Sequence, residues 1–463
     1  VPGRVLAHVN DDFAPVSAYS SNGGGWSASN LYTFDPQPEA GAEADVPLAR
    51  SMPTPEQVIL IESGTQSTED LLRDLADTPG VLAAQPDYVR YIDDLETQAK
   101  PVEEPAAALS ADTAPTDDPL IGLQWHLAPT DEIAGAANVE TLWGDEGIPG
   151  RPWQGKEEVV VAVVDTGVDC TNPDLKDVMW ENPGNIGLEG EHGYDYGMGD
   201  DDPMDNDGHG THVAGIIAAS VNNGEGVAGV APNAKIMALR VANESGGFLT
   251  SAVLGAYSYM KKAAQARVNL VAANNSWMGA GESPLLTEVM DDLYRSNGVL
   301  SVCASGNYAA DLDQSLNLPA GAPTDGAIAV NAVDREGRLA SFSDYGAAAT
   351  DLAAPGTDIL STAPQGQGIV DGDDPELTVA FDDFESEDRM FSFQASGDAE
   401  PSVSRAEVPQ VVGDAPSQGV LMSIKQAKAG QKASVVFTAK KGAVKQGLAA
   451  ADKTVDDLQC LAF

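Results

Sequence analysis

With 463 residues, 43% of them hydrophobic, the chain has apolar material for packed cores in about two to four domains. Its 71 acidic against 25 basic residues give a net charge of -46, which argues against nucleic acid as a partner and against an anionic membrane surface. Three cysteines, Cys170, Cys303 and Cys460, cannot build a disulfide framework, and no apolar run reaches the ~18 residues of a membrane span.

Residues 1–98 read as a small α/β unit. VPGRVLAHV and QVILIES have strand character, TEDLLRDLAD is helical, and GVLAAQPDYVRY returns as a strand. Thr68 is placed to cap the helix, Leu71, Leu72 and Leu75 form its apolar stripe, and Asp74 and Asp77 lie on the polar side. Residues 11–54, rich in Ser, Gly, Ala and Pro, have the composition of a disordered insertion. Residues 99–117, Pro- and Ala-rich without apolar periodicity, read as a linker.

From DPLIGLQWHL onward the pattern changes. The runs VVVAVVD (159–165), AKIMALRV (234–241), LVAANNS (270–276) and VLSVCAS (299–305) are apolar throughout and read as buried strands. Helical segments, among them HVAGIIAAS (212–220) and LTSAVLGAYSYMKKAAQA (249–266), separate them. Residues 118–365 are therefore expected to form one doubly wound α/β domain around a mostly parallel sheet, with ligands beyond the carboxyl ends of the strands. Cys303, inside such a run, reads as a buried small residue. Residues 366–463 read as short strands with polar turns, a β-rich inserted or appended segment suggesting a sandwich. Residues 421–463 hold seven lysines against three aspartates, net +4 where the rest of the chain is -50. Both a separate domain and a reading-frame error near the end explain that shift.

Two polar motifs interrupt the apolar pattern. Asp165 ends a strand and is followed by TGVD, so its carboxylate emerges at the strand's carboxyl edge. His209 lies in DNDGHGTHVAGIIAA, a Gly-rich turn opening a helix, where Gly208 and Gly210 allow close backbone approach. A carboxylate orienting an imidazole is what a general base for a hydroxyl nucleophile requires. His212, three residues on, reads as a packed helical histidine rather than half of a zinc pair, because no third ligand motif accompanies it.

AVVDTGVD and DGHGTHVAG resemble the aspartate and histidine blocks of the subtilisin-like serine proteases, the subtilases. NNSWMG (274–279) resembles the strand lining that family's primary specificity pocket, and CASGN (303–307) its oxyanion-hole block. LPAGAPTDGAIAVNAVDREGRLASFSDYG and DLAAPGTDILST resemble the segments preceding the serine block. The resemblance spans about residues 118–363, and residues 57–92 resemble the family's propeptide, a chaperone-inhibitor whose tail occupies the cleft. It implies a zymogen, secreted or at the cell surface, that hydrolyses peptide bonds in proteins or peptides through an Asp/His/Ser triad, with its own propeptide as a partner. Asp165 would hold His209, His209 would act as general base and then acid, and the Asn307 side chain would donate to the oxyanion. The backbones of Gly246, Gly247 and Phe248 and of Ser276, Trp277, Met278 and Gly279 would pair with an extended substrate. No cofactor is implied for catalysis. Asp174 matches a position where some relatives hold structural calcium, whereas the acidic run 199–207 reads as solvated.

The serine block is the departure. No Gly-rich turn into an apolar helix that would expose a serine follows Thr362. Three explanations stay open: a chain cut short within a β-rich domain inserted before the serine, a damaged gene, or a pseudoprotease that binds peptides without cutting them. Each of them predicts a chain that does not hydrolyse peptides as it stands.

Overall fold

The computed structural model describes residues 1–13, 26–35, 55–92, 116–145, 158–280, 283–315 and 317–364, and beyond these the backbone of six short strands. Contacts divide the chain into two units. One comprises Val1–Leu95 with Leu109–Pro364, the other Glu96–Ala108 with Gln365–Phe463.

The first unit begins with β1 (Arg4–Val9), β2 (Trp26–Thr33), β3 (Gln57–Ser63), α1 (Thr68–Ala76) and β4 (Val81–Pro86). The strands form an antiparallel sheet in the order β2-β3-β1-β4. Period-two alternation sorts its two faces. Val5, Ala7, Val9, Ile59 and Ile61 pack with Leu71 and Leu75 of α1, whereas Leu6, Tyr32, Val58 and Leu60 join the main core. The expected disordered insertion needs correcting at β2, whose backbone pairs with β3 from Trp26 to Thr33 despite its serines and asparagine. The other parts of residues 14–54, apart from 26–35, lie outside the described residues. The helix cap also moves by one. Ser67, in extended backbone, accepts the Asp70 N–H at 3.1 Å, while Thr68 is already helical and donates its hydroxyl to the Val1 carbonyl.

After β4, a two-residue strand β5 (Val89–Arg90) leaves the sheet. There follow α2 (Val139–Asp145), β6 (Val159–Asp165), β7 (Gly193–Asp195), α3 (His209–Ala218), β8 (Ala234–Arg240), β9 (Phe248–Leu249), α4 (Thr250–Gln265), β10 (Leu270–Asn275), β11 (Gly279–Ala280) and α5 (Pro284–Asn297). The unit closes with β12 (Leu300–Ala304), β13 (Asn317–Leu318), β14 (Ala327–Val333) and β15 (Leu352–Pro355). Seven strands form one sheet in the order β15-β14-β12-β10-β6-β8-β7, and every pairing in it is parallel. This is the doubly wound α/β fold. From β6 the chain places β8 and β7 on one side and β10, β12, β14 and β15 on the other, so the strand order reverses beside β6. A crevice opens at such a point beyond the carboxyl ends.

Helices α4 and α5 share one core with both sheets: Leu254, Tyr257, Leu286, Val289 and Leu293 pack with Val160, Val164 and Ala273 on one side and with Leu6, Tyr32 and Val58 on the other. Polar groups fix the same junction. Lys261 of α4, 5% exposed, donates to Asp292 of α5 at 2.7 Å and to the Thr33 carbonyl at 2.8 Å, and the Tyr32 hydroxyl reaches the same Asp292 oxygen at 2.8 Å. His8 lies between Glu56 at 2.9 Å and Glu288 of α5 at 3.1 Å. Asp87 accepts the Ser251 N–H, and Gln85 donates to Ser283 at the start of α5, so residues at the end of β4 and just after it reach the first turns of both helices. On α3, Gly215 leaves no room for a side chain, because a Cβ there would collide with the hydroxyls of Ser361 and Thr362. Those hydroxyls are bonded to the carbonyls of His212 and Thr211.

In the second unit, Thr378–Phe381, Ser417–Ser423 and Ser402–Val408 pair antiparallel as one three-stranded sheet, and Phe391–Gly397, Ala433–Ala439 and Lys453–Thr454 as another. Among the described residues no helix is long and apolar enough to cross a membrane.

Candidate active site

The carboxyl ends of β6, β8, β10 and β12 carry the residues that the sequence singled out. Asp165, the last residue of β6, is 0% exposed. Its Oδ1 accepts the Thr166 N–H at 2.8 Å and meets His209 Nδ1 at 2.7 Å, while Oδ2 is buried without a partner. With Nδ1–H given to the carboxylate, Nε2 is the basic nitrogen of the ring. No described residue hydrogen-bonds that second nitrogen.

His209 reaches Asp165 because the start of α3 is pinned from both sides. Asp205 accepts the N–H groups of Asp207 and Gly208 with one oxygen and the N–H and hydroxyl of Thr211 with the other. Gly208 turns the chain with φ 119°, and Gly210, where a Cβ would collide with the Gly167 carbonyl, donates its N–H to the Thr166 hydroxyl at 2.8 Å. Asp205 is 4% exposed, so the acidic run 199–207 is not a solvated stretch throughout: at this position it is a buried helix cap. Burial pulls the His209 imidazole down, but the charge and hydrogen bond of Asp165, helped by Asp207 and Asp205, outweigh it and hold the ring above its ordinary 6.5.

His212 packs as expected. Its Nε2 lies 3.1 Å from the Ile359 carbonyl, and burial beside His209 pushes it down to about 4. His126, missed in the sequence, is 4% exposed with neither ring nitrogen partnered, and burial with the nearby His212 pushes it to about 4 as well. The Trp-His-Leu context in which it sits carries no signal separating a buried imidazole from a surface one. Cys303 is 1% exposed and its thiol is pushed up by burial, an inert core residue.

Asn307 follows β12 in a loop that Asp344 fastens. Asp344 Oδ1 accepts the N–H groups of Tyr308 at 2.8 Å and Ala310 at 2.9 Å, and its own N–H donates to the Gly306 carbonyl at 2.8 Å. Gly306, with φ 125°, has no space for a side chain beside the Asp344 carboxylate and Met278. Asp344 was missed because an aspartate in SFSDYG reads as an ordinary turn residue.

The backbone expected to pair with a peptide meets a strand of the same chain. β5 pairs antiparallel with β9, Val89 opposite Leu249 and Arg90 opposite Phe248. Tyr91 then exchanges two hydrogen bonds with Met278, 3.0 Å each. Residues 89–91 thus lie as an extended strand between Phe248–Leu249 and Met278. The N–H groups of Gly246 and Gly247 close a turn on the carbonyl and side chain of Asn243, the Gly247 carbonyl accepts the Asn243 N–H, and β5 pairs with Phe248 and Leu249. Trp277, 2% exposed, stands edge-on to Phe248 with ring centroids 6.2 Å apart, a core role. The Ser276 hydroxyl accepts from Asn274, and Gly279 takes a guanidinium hydrogen bond from Arg90 on its carbonyl.

Asp174 is buried between two amide donors. Both its oxygens are taken by N–H donors, Asn223 Nδ2 and Val227 N at 2.8 Å each, and burial raises it to about 6. Among the described residues no group of three or more His, Cys, Asp or Glu is placed to hold a metal ion.

The profile described as the Subtilase family matches residues 156–381. The thermophilic serine proteinase of Bacillus sp. (strain AK1) is 38% identical over 202 residues, covering 44% of this chain and 45% of that protein. Subtilisin DY of Bacillus licheniformis is 36% identical over 207 residues, covering 44% and 67%. The solved structure of a cold adapted subtilisin-like serine proteinase is 31% identical, covers 44% of this chain and 65% of its own, and superposes with a TM-score of 0.36. The chain belongs to the subtilase family of serine proteases. It spans 45% of the first of these relatives and 67% of the second.

Proposed function

We propose that this chain carries the base half of a serine endopeptidase of the subtilisin-like kind, acting on peptide bonds of extended protein or peptide substrates. The observation that carries the reading is the 2.7 Å contact between the buried Asp165 carboxylate and His209 Nδ1, at the point where the strand order reverses. In this reading Asp165 fixes the tautomer and stabilises the imidazolium. His209 Nε2 takes the proton of the attacking hydroxyl and returns it to the leaving amine, and Asn307 donates to the oxygen that becomes negative. The nucleophile stays unassigned, since no serine motif follows Thr362. Residues 1–98 act as the family's propeptide and their tail is the cleft's resident occupant, consistent with the placing of residues 89–91. The same reading makes the chain a zymogen, secreted or at the cell surface.

A serine-directed fluorophosphonate on the purified chain tests this. Stoichiometric labelling that disappears in His209→Ala identifies a serine within the chain as nucleophile. The antiparallel seat of residues 89–91 favours a second reading, a peptide-binding member of the family without catalysis. Absence of labelling and of turnover, together with saturable binding of extended peptides, would decide for it.

A further inference from the structure

β1 turns Arg4, Leu6 and His8 to the face that meets α4 and α5, and at His8 that contact is ionic. His8 Nδ1 lies 3.1 Å from Glu288 of α5 and Nε2 lies 2.9 Å from Glu56, just before β3, with 12% of the His8 side chain exposed. The Phe34 ring stands beside the imidazole, centroids 4.7 Å apart. The strand neighbours Val58 of β3 and Ala83 of β4 bring no charge. Among the described residues the other charges of this junction are already matched. Lys261 of α4 is paired with Asp292 of α5 and with Asp35, Asp291 of α5 with Arg295, and Arg4 with Glu62 and Asp87.

A neutral imidazole has one N–H and one lone pair. In either tautomer, one of the two carboxylates here would face the lone pair at hydrogen-bond distance. Only the doubly protonated ring offers an N–H to each, and its charge also suits the neighbouring Phe34 ring. Burial works against that charge, but Glu288 and Glu56 outweigh it and hold the ring above its ordinary 6.5. The tie is therefore complete below 6.5 and is lost as pH rises through the folded-state value.

We propose that His8, Glu56 and Glu288 form a proton-operated clasp, which closes the N-terminal sheet on α5 in acid and loosens it in alkali. Loss of the proton leaves two carboxylates on opposite sides of a neutral ring, one on the sheet side and one on α5. The contact then passes from attraction to repulsion. The clasp stands on these contacts and goes beyond the reading of residues 1–98 as a propeptide.

The test is hydrogen exchange of the full chain at about pH 5.5 and about pH 8.5, corrected for the intrinsic pH dependence of amide exchange. The amides to follow are Leu285, in the first turn of α5, and Ser251, in the first turn of α4, because their acceptors are Gln85 and Asp87 from the end of β4 and just after it. The wild-type chain should lose about fivefold protection at both between the lower and the higher pH. His8→Gln should show no such step, and Glu288→Gln a smaller one. By NMR the His8 ring should titrate above 6.5, and lower in Glu288→Gln than in the wild type. Equal protection at the two pH values in the wild-type chain, or a step of the same size in His8→Gln, overturns the proposal. Unprotected exchange of both amides at either pH would show that the sheet is not held on the helices, and it overturns the clasp as well.

Discussion

The Asp87 carboxylate accepts both the backbone N–H of Ser251, at 2.9 Å, and its hydroxyl, at 2.8 Å, across 164 positions of sequence. Ser251 stands in the first turn of the sixteen-residue α4, where backbone N–H groups have no partner within the helix. The cap is supplied from outside the helix by the segment that follows the N-terminal sheet. A carboxylate there also meets the positive end of the helix dipole.

Replacing Asp87 with Ala should therefore lower stability by about 2 kcal/mol, as loss of a cap joined to loss of Arg4's buried partner. Asp87→Asn retains an acceptor for the Ser251 N–H and should lose about half as much. Urea midpoints of the full chain measure both. Equal midpoints for wild type and Ala would show that the cap contributes nothing.

Lys261, Asp292 and Tyr32 make a second, fully buried tie. Lys261→Met leaves Asp292 charged and short of its cation and should cost about 3–5 kcal/mol. Adding Asp292→Leu should recover most of that, because the pair is then replaced by apolar contacts. A double variant no more stable than the single one would contradict the account of the site as a mutually dependent pair.

His209 should titrate above 6.5 by NMR, and Asp165→Asn should bring its pKa down. The sign for folding follows from the raised value. The protonated pair contributes stability in full below 6.5, and that contribution is lost as pH rises through the folded-state pKa.

His126 and His212 work in the opposite sense. Both are held neutral, near 4, so their stabilising contribution is complete above 6.5 and is lost as pH falls from 6.5 towards 4. Asp174, raised to about 6, partly offsets this by taking up a proton on folding between about 6 and 3.8. In denaturant melts at pH 7 and pH 4.5, the His126→Phe chain should lose less stability between the two conditions than the wild type. A difference as large as the wild type's would mean that His126 is charged in the folded chain.

What the sequence made legible follows from the range of the forces. The runs VVVAVVD and AKIMALR are apolar on both faces, so the parallel sheet could be read from them, and Asp165 and His209 stand in turns whose local chemistry marks them. β2 could not be read, because the one buried residue of WSASNLYT is Tyr32, and its hydrogen bond to Asp292 of α5 is made 260 residues away. Gly246 and Gly247 looked suited to an approaching backbone. Whether their N–H groups were free depended on Asn243, whose side chain and backbone had already taken them. Arg90 and Asp344 were missed because burial of a charge is a tertiary event that a charged letter in a short strand or turn does not announce.

The fit of Gly215 beneath Ser361 and Thr362 has a genealogical consequence. Each of the two hydroxyls fills the volume that a methyl group on position 215 would need while also tying down a carbonyl of α3. Position 215 can therefore drift to alanine only in lineages that have already given up both of those hydroxyls, and substitutions here should arrive in that order. Across descendants of this chain the three positions should change as one character, though nearly 150 residues separate them.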